Sequence, residues 1–71
     1  MKKATLRQEL YMFRLSKGMT QEQFAETLGY KRDCYGRVEN GDRDPSMKFC
    51  KALSEAWSIP LPEVFKMLNL H

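Results

Sequence analysis

The sequence predicts a compact all-α domain of five short helices, and three observations carry that prediction. Apolar residues recur at helical spacing, and no segment shows the period-two alternation of a strand. Capping and stop residues interrupt that spacing at short intervals. The joints between the helical segments are two to six residues long, with no linker, internal repeat or low-complexity tract. With 71 residues the chain forms one domain, residues 1–71, near the lower size limit for folding alone. A chain this short hides only about 60% of the surface its unfolded form exposes, so a deep enzyme cleft is not expected.

The first segment runs from about Leu6 to Lys17, with Leu6, Leu10 and Phe13 on one face. Thr5 is its expected N-cap, and Gln8 completes a T-x-x-Q capping box. Gly18 ends it. The second, Gln21 to Leu28, repeats the device with Thr20 and Gln23, and buries Phe24, Ala25 and Leu28 before Gly29 stops it. The third spans about Lys31 to Asn40 and ends at Gly41. The fourth spans about Ser46 to Ser58, with Met47, Phe49, Cys50, Leu53 and Trp57 inward. The fifth begins around Pro62, which suits a first helical position, and carries the stripe Leu61, Val64, Phe65 and Leu68.

The third segment holds the most chemistry. On a helical wheel Tyr35 and Val38 point inward, with Lys31 and Cys34 at the flanks. Arg32, Asp33, Gly36, Arg37 and Asn40 share the outer side. Such a face is also what an ordinary solvated helix shows. Its context favours more: the second segment ends at Gly29 and the third starts within two residues, the joint of a helix-turn-helix unit whose second helix enters the major groove. Arginine grips guanine O6 and N7 with two hydrogen bonds, and a carboxylate accepts one from cytosine N4. Gly36 weakens a helix by about 1 kcal/mol relative to alanine. At the centre of a reading face it would let the backbone approach the groove floor.

A formal charge of +3 suits an acidic partner such as double-stranded DNA but is too mild to identify one. Cys34 and Cys50 lie in no C-x-x-C or cysteine–histidine arrangement, so reduced thiols and a cytoplasmic location are expected. Cys50 reads as core, and Cys34 as a boundary residue with redox control of binding a minor alternative. The lone His71 has no partners for a metal or catalytic site, so no metal, cofactor or small-molecule ligand is expected. No apolar run approaches the ~18 residues of a membrane span.

The run "KGMTQEQFAETLGYKRDCYGRVENGDRDPS" resembles the core of the XRE, or lambda-repressor-like, helix-turn-helix family. The family's T-Q-x-x-x-A-x-x-x-G stands as Thr20, Gln21, Ala25 and Gly29, its apolar positions as Phe24, Leu28, Tyr30, Tyr35 and Val38, and its R-x-E-N-G-x-R-x-P-S as "RVENGDRDPS". "SIPLPEVF" is similar to the family's last turn and fifth helix, and the match covers about residues 6 to 66 without gaps. The resemblance implies a DNA-binding transcriptional regulator of phage-repressor or small bacterial regulator type. It implies base reading by Arg32, Asp33 and Arg37, and phosphate contacts from Gln21 (through its amide and the helix N-terminus), Asn40 and Arg43. It also implies a partly buried ion pair between Arg14 and Glu39. Three positions depart from the pattern. Lys31 stands where a capping Ser or Thr is common, and its charge opposes the helix dipole there, which suits only a nearby phosphate. Tyr30 and Tyr35 replace smaller aliphatics. Gly36 stands where relatives often place a DNA-touching side chain.

Some apolar residues fall outside the expected core: Tyr11 and Leu15 on the first helix, Met67 and Leu70 near the end. Scattered exposure of this kind is ordinary on a folded protein, and a partner surface is the equal alternative; a homodimer on a palindromic site is its natural form, with Met67, Leu68 and Leu70 as the expected contact. The leading expectation is therefore a dimeric repressor and not an enzyme. The alternative is a protein-interaction module of the same fold, such as the antitoxin of a toxin–antitoxin pair, against which Arg32, Arg37 and Arg43 together argue.

Overall fold

The computed structural model describes residues 6–69. Five helices follow one another: α1 (Gln8–Ser16), α2 (Gln21–Leu28), α3 (Arg32–Glu39), α4 (Met47–Trp57) and α5 (Leu61–Met67). No strand occurs among the described residues. The all-α expectation holds, with helix ends shifted by one or two residues.

Local chemistry explains most boundaries. Thr20 and Gln23 form the expected capping box, the Gln23 N–H donating to Thr20 Oγ1 at 3.1 Å and the Thr20 N–H to Gln23 Oε1 at 2.9 Å. Gly29 leaves α2 in the left-handed region at φ 77°, and its N–H and that of Tyr30 donate to Glu26 O and Ala25 O. This paired closure satisfies two terminal carbonyls and turns the chain sharply into α3. Ser46 caps α4 by accepting from the Phe49 N–H. Lys31, as its chemistry requires, gives α3 no side-chain cap.

The start of α1 is a correction. The helix begins at Gln8, with Arg7 at the cap position in extended conformation and no side-chain cap bond; the expected cap Thr5 lies outside the described residues. Arg7 has a different task, because its backbone N–H and guanidinium reach the end of α3. Those bonds hold it out of the helix.

The core joins all five helices. Leu10, Phe24, Ala25, Leu28, Tyr35, Val38, Phe49, Cys50, Leu53 and Val64 are buried. An aromatic cluster fills its middle: Phe24 stacks on Trp57 at 5.5 Å and meets the rings of Phe13 at 6.0 Å and Tyr35 at 5.2 Å. Rings this close contribute about 0.5–1.5 kcal/mol per pair beyond their buried area. The larger aromatics at positions 30 and 35 also find ring partners, since Tyr30 packs edge-on to Phe49 and Tyr35 lies nearly parallel to it.

Two apolar assignments change. Met47, expected inward, is 54% exposed at the start of α4. Met67 and Leu68, expected at a dimer contact, are covered by the protein's own core, Leu68 completely. They close the end of α5 against the body, and α5 packs on both α4 and α1. Leu70 lies outside the described residues. Leu15 is exposed and Tyr11 half-buried. Both cysteines are free thiols, Cys50 buried and Cys34 half-buried.

Candidate nucleic-acid interface

The short turn at Gly29 sets α3 across the end of α2, so one face of α3 is left to solvent. Tyr35 and Val38 bind the opposite face to the core. Arg32, Asp33, Arg37 and Asn40 are exposed, and they line one shallow depression together with Gly36 and Gln21. Arg32 and Asp33 lie 3.4 Å apart as a solvent-exposed pair. The face thus offers two guanidiniums, a carboxylate and two amides, the Gln21 amide lying against Gly36.

Lys31 and Arg43 do not line this depression. Lys31 stands exposed at the N-cap of α3. Arg43 lies on the opposite flank, beside a small cavity lined by Tyr30, Cys34, Val38 and Phe49. The loop carrying Arg43 is anchored by α3, because the N–H groups of Asp42 and Arg43 both donate to Arg37 O, at 2.8 and 3.2 Å. Gly41 makes that loop possible at φ 84°.

Behind the face lies a buried polar network centred on Glu39, the last residue of α3, which is 1% exposed. Arg14 grips both of its oxygens, Nε to Oε1 at 2.8 Å and Nη2 to Oε2 at 3.0 Å. The Tyr35 hydroxyl donates to Oε1 at 2.6 Å, and Gln21 Nε2 donates to Oε2 at 3.1 Å. Each carboxylate oxygen therefore takes two donors, which uses its full acceptor capacity. Arg14 Nη1 also donates to Met19 O at 2.8 Å, tying in the turn before α2.

Burial pushes the Glu39 carboxyl up, but the hydrogen bonds from Arg14, Tyr35 and Gln21 outweigh it and hold it below the usual carboxylate range. Its bond to the carboxylate, working against burial, raises the Arg14 guanidinium further. Burial, and then the Glu39 carboxylate, push the Tyr35 phenol well above its ordinary value. Glu39 is thus a charged acceptor and Tyr35 a neutral donor across the physiological range.

Sequence reading placed Gly36 on an open face and the Gln21 amide against a phosphate. The geometry differs on the first point and adds a protein partner to the second. A Cβ on Gly36 would stand 3.2 Å from Gln21 Oε1, so the space left by the missing side chain is occupied by Gln21. Gly36 is buried for that reason. The Gln21 amide has one N–H committed to Glu39.

Two residues of the network escaped sequence reading. The Tyr35 hydroxyl was one, because its ring already accounted for it as core. Arg7 was the other, because its position inside the expected first helix concealed it. Arg7 is 8% exposed; it donates from Nε to Leu68 O and from Nη1 to Val38 O, each at 3.2 Å, and its N–H donates to Glu39 O at 2.8 Å. It clasps the end of α3 to the end of α5. A buried arginine bonded to backbone carbonyls has no sequence signature.

Among the described residues no group of three or more His, Cys, Asp or Glu could hold a metal ion, and no helix is long and apolar enough to cross a membrane. No curated protein and no solved structure gives a match to the chain. A family model described as helix-turn-helix matches residues 10–64, from the first turn of α1 to the middle of α5. The chain belongs to the XRE, or lambda-repressor-like, helix-turn-helix family of DNA-binding transcriptional regulators.

Proposed function

We propose that the protein is a sequence-specific repressor that reads a palindromic operator as a homodimer, with α3 in the major groove. One observation carries this reading: the exposed face of α3 presents Arg32, Asp33, Arg37 and Asn40 around a single depression. Arg32 and Arg37 are suited to guanine and Asp33 to cytosine. Lys31, Asn40 and Arg43, exposed at the two ends of α3 and in the loop beyond it, suit the phosphates on either side. The rigid network behind α3 supports the assignment, since base reading needs side chains held in fixed register.

The homodimer follows from the size of the reading unit. One helix of eight residues covers a few base pairs, and two copies one DNA turn apart, about 34 Å, double that recognition. Met67 and Leu68 do not supply the contact, being core; Met12 and Leu15 of α1 and Met47 of α4 are the exposed large apolar residues described.

The test is selection of random DNA on the purified protein, followed by salt titration on the selected sequence. A single recovered motif with two-fold symmetry is expected, with affinity falling steeply as salt rises. Failure to enrich any sequence would defeat the reading. Sedimentation at high micromolar concentration, with and without the selected DNA, tests the dimer; a monomer under both conditions would defeat that part.

A further inference from the structure

The chain carries glycine at the centre of its reading face, and the structure fills the gap from another helix. Gln21, the first residue of α2, extends its carboxamide over Gly36, and the atom nearest to the position of a Gly36 side chain is Oε1. The orientation of that amide is fixed by chemistry. Its other end faces Glu39 Oε2 at 3.1 Å, and an ionised carboxylate only accepts, so the NH2 group must lie there and the carbonyl oxygen must lie over Gly36. Oε1 has no hydrogen-bond donor among the described residues, and no fully buried side-chain oxygen there lacks one, so Oε1 is not fully buried. It lies in the depression formed with Arg32, Asp33, Arg37 and Asn40.

We propose that Gln21 is a base-reading residue, supplying from α2 the side-chain group that α3 lacks at Gly36, with its carbonyl oxygen accepting a hydrogen bond from the exocyclic amino group of a cytosine or an adenine. The inference rests on the DNA-reading assignment above and adds a specificity-determining residue to it. The Gln21 amide turns one N–H to Glu39 and its oxygen to the reading face; its second N–H remains available to a phosphate and does not compete with that oxygen. In the major groove the amino groups of cytosine N4 and adenine N6 are the donors available to such an oxygen. Glu39 acts as the positioning residue, because without its carboxylate the amide is free to flip and present a donor.

A double-perturbation cycle on the selected operator tests this. One arm removes the acceptor with Gln21→Met, which keeps the length of the side chain. The other removes exocyclic amino groups one at a time from the operator, with purine in place of adenine or pyrimidinone in place of cytosine, and leaves the protein unchanged. At one base pair per half-site, loss of the amino group should weaken the parent by about tenfold and Gln21→Met by less than twofold. Preferences at all other positions should survive in the variant. If Gln21→Met fails to fold by circular dichroism, Gln21→Ala replaces it in the same cycle. A parent that selects an operator, with Gln21→Met keeping every base preference and binding uniformly more weakly or equally well, would overturn the inference alone. A parent with no sequence preference would overturn the DNA reading and the inference with it.

Discussion

Arg14 and Glu39 form a two-pronged ion pair, 2.8 and 3.0 Å in length, that joins α1 to the last residue of the reading helix. Neither residue is more than 7% exposed, and Tyr35 and Gln21 complete the acceptor capacity of the carboxylate. Breaking one side of a buried pair strands the other charge, at about 3–5 kcal/mol. Arg14→Met should destabilise by that amount in urea unfolding. A loss below about 1 kcal/mol would mean the pair is solvated in solution.

The same carboxylate sets the acid stability. Glu39 titrates below its ordinary value of 4.5, so the unfolded chain binds its proton at higher pH than the folded one. Its contribution is therefore complete above that ordinary value and lost as pH falls through the lower, folded value. Stability of the parent should decline on acidification from about pH 5 downward. Glu39→Gln should be far less stable than the parent at pH 7, and the gap should narrow at lower pH. A pH-independent gap would contradict the assignment.

Gly36 and Gln21 should not behave independently. Alanine in place of a helical glycine gains up to about 1 kcal/mol in an open position. Here the new methyl would press on Gln21 Oε1 at 3.2 Å, and that side chain is held by Glu39. Gly36→Ala should stabilise the Gln21→Ala background by nearly the full amount and the parent by clearly less. Equal gains in both backgrounds would show that Gly36 is merely tolerated.

Arg7 should matter through its carbonyl partners and not through its charge partner. Its contact with Asp44 is 3.5 Å long, and the Asp44 side chain is 98% exposed, so solvent screens that pair. The bonds to Val38 O and Leu68 O are buried. Arg7→Met leaves those carbonyls without that donor and should cost about 1–3 kcal/mol. Asp44→Ala should stay within about 0.5 kcal/mol of the parent. Denaturant midpoints for the two variants decide the matter, and equal losses would contradict it.

What could be read from the sequence follows the range of the interactions. Thr20 with Gln23, Gly29 and Ser46 act within a few residues, and those boundaries were legible. The Arg14–Glu39 pair spans 25 positions and came through family resemblance alone. The site was legible as a set of residue types on one face of α3, because the wheel depends only on helical period. The wheel could not see a side chain arriving from α2, so Gly36 looked open and Gln21 looked free. Arg7, whose guanidinium bonds run 31 and 61 positions along the chain, left no local pattern, and its bonds moved the start of α1. Met67 looked peripheral because a short terminal helix gives the wheel few turns to average over, whereas Leu68 lies in the predicted stripe and is buried.

The central claim is that α3 reads base edges through Arg32 and Arg37. The direct measurement is the affinity of Arg32→Ala and Arg37→Ala for the operator selected on the parent, and for single-base variants of it, at one fixed salt concentration. Each substitution should cost about 1–3 kcal/mol and relax preference at its own base pair. If both variants bind the operator as tightly and as selectively as the parent, α3 is not the reading helix.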